Sequence, residues 1–263
     1  MALKDMNPIT RKILRLSAGL ILSMSLTCTL AASNSNHYEG EYKNLSIGDY
    51  LREDYVNTLK AELSASKAAE NTKCKEGIQD SDYLAYCNCR MLIINKKTSE
   101  KAYLYVSDFN DAAGDTVIYS DGKIAEQSAV YGNEKINVVD NNSVPVHFAI
   151  INSRELYYGR KGFEPFKYIF VDGAIKYVTN IIFCGNYIDT MGRTYEFKNN
   201  GTAYWLNDNY NYQTSFIEDM VYLWKENHFE AAKKYYYNRS EKNLDIYSDN
   251  LKKNLVVSLT KID

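Results

Sequence analysis

Two tight turns divide residues 184–205, CGNYIDTMGRTYEFKNNGTAYW, into three short runs, and this punctuation constrains the fold more than any other feature of the chain. Gly192 can turn the backbone after Tyr187-Ile188-Asp189, and Asn200-Gly201 supplies the positive φ angles that a two-residue hairpin requires. Between the turns Tyr195 and Phe197 point one way while Thr194, Glu196 and Lys198 point the other, because successive strand side chains alternate. The segment therefore reads as an antiparallel meander with one apolar face. Similar runs recur upstream at Met91–Ile94, Ala102–Val106, Thr116–Tyr119, Val146–Ile151, Leu156–Tyr158 and Phe166–Val171, separated by Asp, Asn and Gly. Asp121-Gly122 and Asp172-Gly173 read as further hairpin tips, and Leu255, Val257 and Leu259 alternate as a closing strand.

Two stretches change the period from two to nearly four. Ser46 with Asp49 gives an N-cap signature, and Ile47, Leu51, Tyr55, Leu59 and Leu63 recur every four residues behind it. Ser215 with Glu218 makes a capping box, and Ile217, Met220, Val221, Trp224, His228, Ala231, Ala232 and Tyr235 fall on one helical stripe. The expected fold class is α+β: a mainly antiparallel sheet, a meander partly curled or barrel-like, packed by two amphipathic helices. With three prolines, no fixed repeat and no low-complexity linker, residues 46–263 read as a single domain.

The front of the chain reads as an address rather than part of the fold. Lys4, Arg11, Lys12 and Arg15 precede an uncharged apolar run from Leu16 to Leu30, and small residues follow, the pattern of a secretory signal peptide over residues 1–31. That run is shorter than the ~20 apolar residues of a membrane span, so no stable span is expected once the signal is removed. Cys28 invites a lipoprotein reading, against which Thr27 stands where a small Gly, Ala or Ser is usual. Residues 32–45 are polar and read as a flexible leader.

Removing residues 1–31 lowers Lys+Arg from 31 to 27 and Asp+Glu from 33 to 32, leaving a mature net charge of −5. Such a chain has no basic field for nucleic acid. In an oxidising compartment the four remaining cysteines, Cys74, Cys87, Cys89 and Cys184, are disulfide candidates. Cys87 and Cys89 on one strand would have Cα atoms roughly 6.5–7 Å apart, awkward for a mutual bond, so one is expected to pair with Cys74 and the other with Cys184.

Chemistry is harder to find. There is no Gly-x-Ser-x-Gly elbow and no phosphate-cradling loop, and the three histidines, His37, His147 and His228, show no ligand spacing with the cysteines. Residues 207–218 imitate the spacing of a calcium loop, but Tyr212 stands where that loop needs glycine and neutral Asn207 stands at its first position. No catalytic residue, metal or cofactor is nominated.

What stands out is 24 tyrosines against nine phenylalanines and two tryptophans. Tyrosine offers a large contact area with few torsions to freeze, which suits recognition surfaces, although it is also a good strand former. Tyr187, Tyr195, Tyr204, Trp205, Tyr210 and Tyr212 are dense over adjacent hairpins and form the candidate binding patch. In the same region Gly185-Asn186-Tyr187, Arg193-Thr194-Tyr195-Glu196-Phe197 and Asn200-Gly201-Thr202-Ala203-Tyr204-Trp205 resemble the hairpin run of bacterial lipocalin-like domains. That resemblance covers 22 residues and implies a small barrel with an apolar cavity or a partner-binding mouth. The functional expectation is an exported periplasmic, non-catalytic protein-binding module of the inhibitor or immunity type. The alternatives are a lipocalin-like carrier of a small apolar ligand and a hydrolase with dispersed catalytic residues.

Overall fold

The computed structural model describes residues 45–72, 74, 87, 89–97, 101–107, 112–119, 124–127, 138–140, 146–160, 163–225 and 228–262. They group into two compact units, one running to Glu53 and from Thr72 to Val171, the other comprising Asp54–Asn71 and everything from Asp172 on. Both sheets are antiparallel and helices accompany them, so the fold class is α+β as expected. The expected signal peptide, all of the leader before Leu45, the Asp121-Gly122 turn, His37 and the side chain of His147 lie outside the described residues.

The first unit is a nine-stranded sheet. Its strands are β1 (Gly48–Arg52), β2 (Met91–Lys97), β3 (Lys101–Ser107), β4 (Ala112–Tyr119), β5 (Ile124–Gln127), β6 (Val138–Asp140), β7 (Val146–Asn152), β8 (Glu155–Arg160) and β9 (Phe166–Val171). The spatial order is β6-β5-β4-β3-β2-β1-β9-β8-β7, which puts the consecutive strands β6 and β7 at opposite edges. Six peptide steps join Asp140 to Val146 and span at most about 22 Å, whereas nine flat strands would set the edges roughly 38 Å apart. The sheet must therefore curl, and it forms a half-barrel. Tyr50, Leu51, Leu92, Ile94, Phe148, Leu156, Tyr158 and Tyr168 are buried in it. The Arg52 guanidinium is buried too, 4.0 Å over the Phe166 ring, and it donates to the Cys87 carbonyl.

The second unit carries the meander that the turns announce. After the helix α1 (Glu53–Glu62) and α2 (Ala65–Asn71) comes α3 (Ala174–Phe183), followed by β10 (Gly185–Asp189), β11 (Thr194–Phe197), β12 (Thr202–Trp205), β13 (Asp208–Thr214), β14 (Met220–Trp224), β15 (Lys233–Arg239), β16 (Asn243–Tyr247) and β17 (Leu255–Lys261). Each strand pairs antiparallel with the next, and β17 returns to β10 through Tyr187↔Lys261 and Asp189↔Leu259, closing an eight-stranded barrel. Both anticipated turns are present: Gly192 and Gly201 hold φ of 79° and 85°.

Four expectations are corrected here. The stripe expected to be helical from Ser46 begins as β1, and the helix starts only at Glu53, because Tyr50 and Leu51 pair across to Phe170 and Ile169. Asp172-Gly173 is not a hairpin tip: Gly173, φ 77°, stands at the N-cap of α3. The helix expected from Ser215 to Tyr235 does not form. Ser215 Oγ accepts from the Ile217 and Glu218 amides as a capping serine would, but the chain then enters β14, a turn of 3₁₀ helix (Phe229–Ala231) and β15. In Met220–Trp224, rich in β-branched and aromatic side chains, period-two burial of Val221 and Leu223 wins because β13 and β15 offer pairing on both sides. Cysteine pairing is half as expected: Cys74 bonds to Cys87, Cα atoms 5.4 Å apart, while Cys89 and Cys184 carry thiols outside any bridge.

Candidate functional site

An eight-stranded barrel encloses just enough room for side chains or for one small ligand. Here aromatic rings take the space. Phe183, from the last turn of α3, lies 5.4 Å from Phe197, 6.0 Å from Tyr212 and 5.0 Å from Tyr237, centroid to centroid. Phe197 also meets Tyr187 at 5.8 Å and Tyr212 at 5.1 Å, and Trp205 meets Tyr195 at 5.4 Å. Buried phenols need partners, and these have them. Tyr187 donates to the Phe183 carbonyl (2.7 Å), Tyr212 to the Lys198 carbonyl (2.9 Å) and Tyr195 to Asp189 Oδ2 (3.1 Å). Burial pushes the Tyr212 and Tyr237 hydroxyls well above their ordinary range, so both stay protonated.

Asp189 organises the first hairpin. Burial by itself pushes its carboxyl up, but hydrogen bonds from the Arg193 amide and Nε, the Met191 amide and the Tyr195 hydroxyl outweigh that and hold it below its ordinary value. The same burial and the neighbouring carboxylate push the Tyr195 phenol up. Every oxygen of this carboxylate is engaged in the turn, so it acts as structure.

Because strands alternate in direction, the connections 190–193, 206–207 and 225–232 lie at one end of the barrel, and 198–201, 215–219 and 240–242 at the other, while in 248–254 Lys252 Nζ reaches Asn238 Oδ1 (2.6 Å) and Asp219 Oδ2 (3.6 Å). The second end is covered by helices of the same unit. Tyr55 of α1 donates to the Phe216 carbonyl (2.8 Å), and Asp219 accepts from Ser64 Oγ (2.9 Å), the Ser66 amide (3.1 Å) and Ser66 Oγ (2.8 Å) at the start of α2. Arg239 Nε donates to the Ile182 carbonyl (2.9 Å), placing a cation at the C-terminus of α3.

Among the described residues, the first end exposes apolar side chains beside charged ones, Arg193, Lys225 and Glu230 among them. Met191 is 76 % exposed and Leu206 45 %. Leu206 and Asn207 hold φ of 48° and 66° in the β12–β13 turn. A branched apolar side chain in left-handed backbone costs about 1–2 kcal/mol and is usually replaced by Gly or Asn. Below this rim, on the outer face of β10–β12, a cleft of about 320 Å³ is lined by Asn186, Thr194, Glu196, Tyr204 and Ile262 over the Tyr187 and Tyr195 backbones.

The six residues of the expected aromatic patch are thus divided. Tyr187, Tyr195, Trp205 and Tyr212 are buried inside the barrel, Tyr204 is 36 % exposed in the cleft and Tyr210 is half-buried. They share a neighbourhood but not a surface, because closing the sheet turns its apolar face inward. His228 stands exposed in the β14–β15 connection, 3.3 Å from Glu230, rather than on a buried helical stripe. Among the described residues no group of three or more His, Cys, Asp or Glu side chains could hold a metal ion. Sequence reasoning missed Met191 and Leu206; the signal available was two large apolar residues in turn positions, where polar ones are usual.

No family model matches this sequence, and no curated protein or solved structure matches it. The eight-stranded antiparallel barrel is compatible with a lipocalin-like fold.

Proposed function

We propose that the chain is an exported, non-catalytic protein-binding module, of the inhibitor or immunity type, that meets its partner through the end of the C-terminal barrel that holds Met191 and Leu206. The observation that carries this reading is the exposure of Met191 and Leu206, two large apolar side chains in the β10–β11 and β12–β13 turns at one end. Clustered apolar exposure marks interaction surfaces. The ring-filled interior supports a role at the surface over one inside the barrel. The Cys74–Cys87 bridge, and the lack among the described residues of any helix long and apolar enough to cross a membrane, are consistent with an extracytoplasmic protein.

The carrier alternative is favoured by the barrel architecture alone. One experiment weighs the two. A photo-crosslinking residue placed at position 191, with the control at position 241 on the opposite end, should give a protein adduct from position 191 only. Adducts from both positions, or none together with lipid retained in native mass spectrometry, would overturn the proposal.

A further inference from the structure

We infer that the cleft on the outer face of β10–β12 is a subsite for one cationic side chain, a lysine or arginine presented by an extended peptide. The inference rests on the protein-binding reading and names the chemistry of one contact within it. Glu196 sits at the centre of a cross-strand row, directly opposite Asn186 on β10 and Tyr204 on β12. Side chains so paired stand about 5 Å apart, which sets the Tyr204 ring beside the Glu196 carboxylate. Ile262, held by its amide donating to the Asn186 carbonyl at 3.0 Å, forms an apolar wall that is itself 56 % exposed. A carboxylate, an aromatic ring and an aliphatic wall match the two halves of a long basic side chain: the stem lies on Ile262, and the charged head meets Glu196 and Tyr204.

Size and competition point the same way. At about 320 Å³ the cleft is at the small end of ligand sites, which run from roughly 300 to 1,000 Å³, and so suits one side chain rather than a cofactor. Lys198, two residues along the same strand face, already places its Nζ 3.2 Å from Glu196 Oε2. Both partners of that pair are about half exposed, and such pairs are weak, so an incoming cation can displace it. Lys198 is then a built-in competitor, and removing it should help the ligand rather than harm it.

The test uses the full mature chain and two probes, acetyl-Gly-Lys-Gly-amide and its glutamine counterpart, titrated while backbone amide NMR shifts are recorded. The lysine peptide should move the amides of Asn186, Thr194, Glu196, Tyr204 and Ile262 saturably, and the glutamine peptide should not. Glu196→Gln should weaken binding about fivefold to tenfold, and Lys198→Ala should strengthen it about twofold to fivefold. The spectra themselves report whether each variant is folded. Equal shifts from both peptides, no saturable shift, or affinity unchanged by either substitution would overturn the inference. None of these outcomes bears on the rim, whose crosslinks test the wider reading separately.

Discussion

Shortening Phe183 to alanine removes the ring on which the interior of the C-terminal barrel converges. The side chain is fully buried and touches the Phe197, Tyr212 and Tyr237 rings, all within 6.0 Å. Deleting a buried phenylalanine costs about 3–5 kcal/mol, the lost transfer energy plus the cavity left behind. The upper part of that range applies here, because the surrounding rings sit on paired strands of a closed barrel and cannot collapse into the gap. At roughly 4 °C for each kcal/mol the barrel transition should fall by at least about 12 °C. Urea unfolding and thermal unfolding, each followed by near-ultraviolet circular dichroism of the aromatic residues, read the two quantities. Tyr204→Ala, on the outer face, is the control and should change stability by less than about 1 kcal/mol. Because an apolar cavity of this size stays dry and accepts small aromatics, benzene should return part of the lost stability to the Phe183→Ala protein. A loss under about 1 kcal/mol, or one matched by Tyr204→Ala, would refute the claim that the interior is packed with its own side chains, and would restore the carrier reading.

Asp189 should give the barrel an acid-sensitive component. Its folded pKa is depressed, so the stability it contributes is present above the unfolded value near 3.8 and is lost as the pH falls through the folded one. Unfolding midpoints taken between about pH 6 and pH 2 should therefore converge for wild type and Asp189→Asn at the acid end; parallel curves would contradict the role of that carboxylate. The Cys74–Cys87 bridge closes a loop with a sequence separation of 13, and Cys74→Ser should destabilise the N-terminal unit by about 3 kcal/mol. Mass spectrometry of alkylated unfolded protein should show two modified thiols, at Cys89 and Cys184; four modified thiols would show that the bridge is absent. Leu206→Asn relieves left-handed backbone strain and should raise stability by about 1 kcal/mol while weakening rim crosslinking, a pairing of effects that a merely structural turn would not show.

Much of the strand content could be read from local pattern. The runs at Met91–Ile94, Ala102–Val106, Phe166–Val171 and Leu255–Leu259 all lie in strands, since alternation of apolar residues between turn formers has few other physical meanings. The error at Ser215–Tyr235 arose where two periods coexist, because Met220, Val221 and Trp224 satisfy helical spacing while Val221 and Leu223 satisfy strand spacing. α3 went unrecognised, although Ala174, Val178 and Ile182 recur every four residues, because Asp172-Gly173 is as good a hairpin tip as it is a helix start.

By itself the sequence determined the turns at Gly192 and Asn200-Gly201, that the sheets are antiparallel, and that Thr194–Lys198 alternates apolar with polar. It could not determine which side of that alternation faces water. Only closure of β17 onto β10 decided this, by turning one face of every strand inward at once, so that Tyr187, Tyr195, Trp205 and Tyr212 became core and Tyr204 remained outside. The same tertiary step set the turns of Met191 and Leu206 at one end. Local propensity acts over a few residues, whereas burial and proximity depend on pairings between residues as far apart as Asp189 and Leu259.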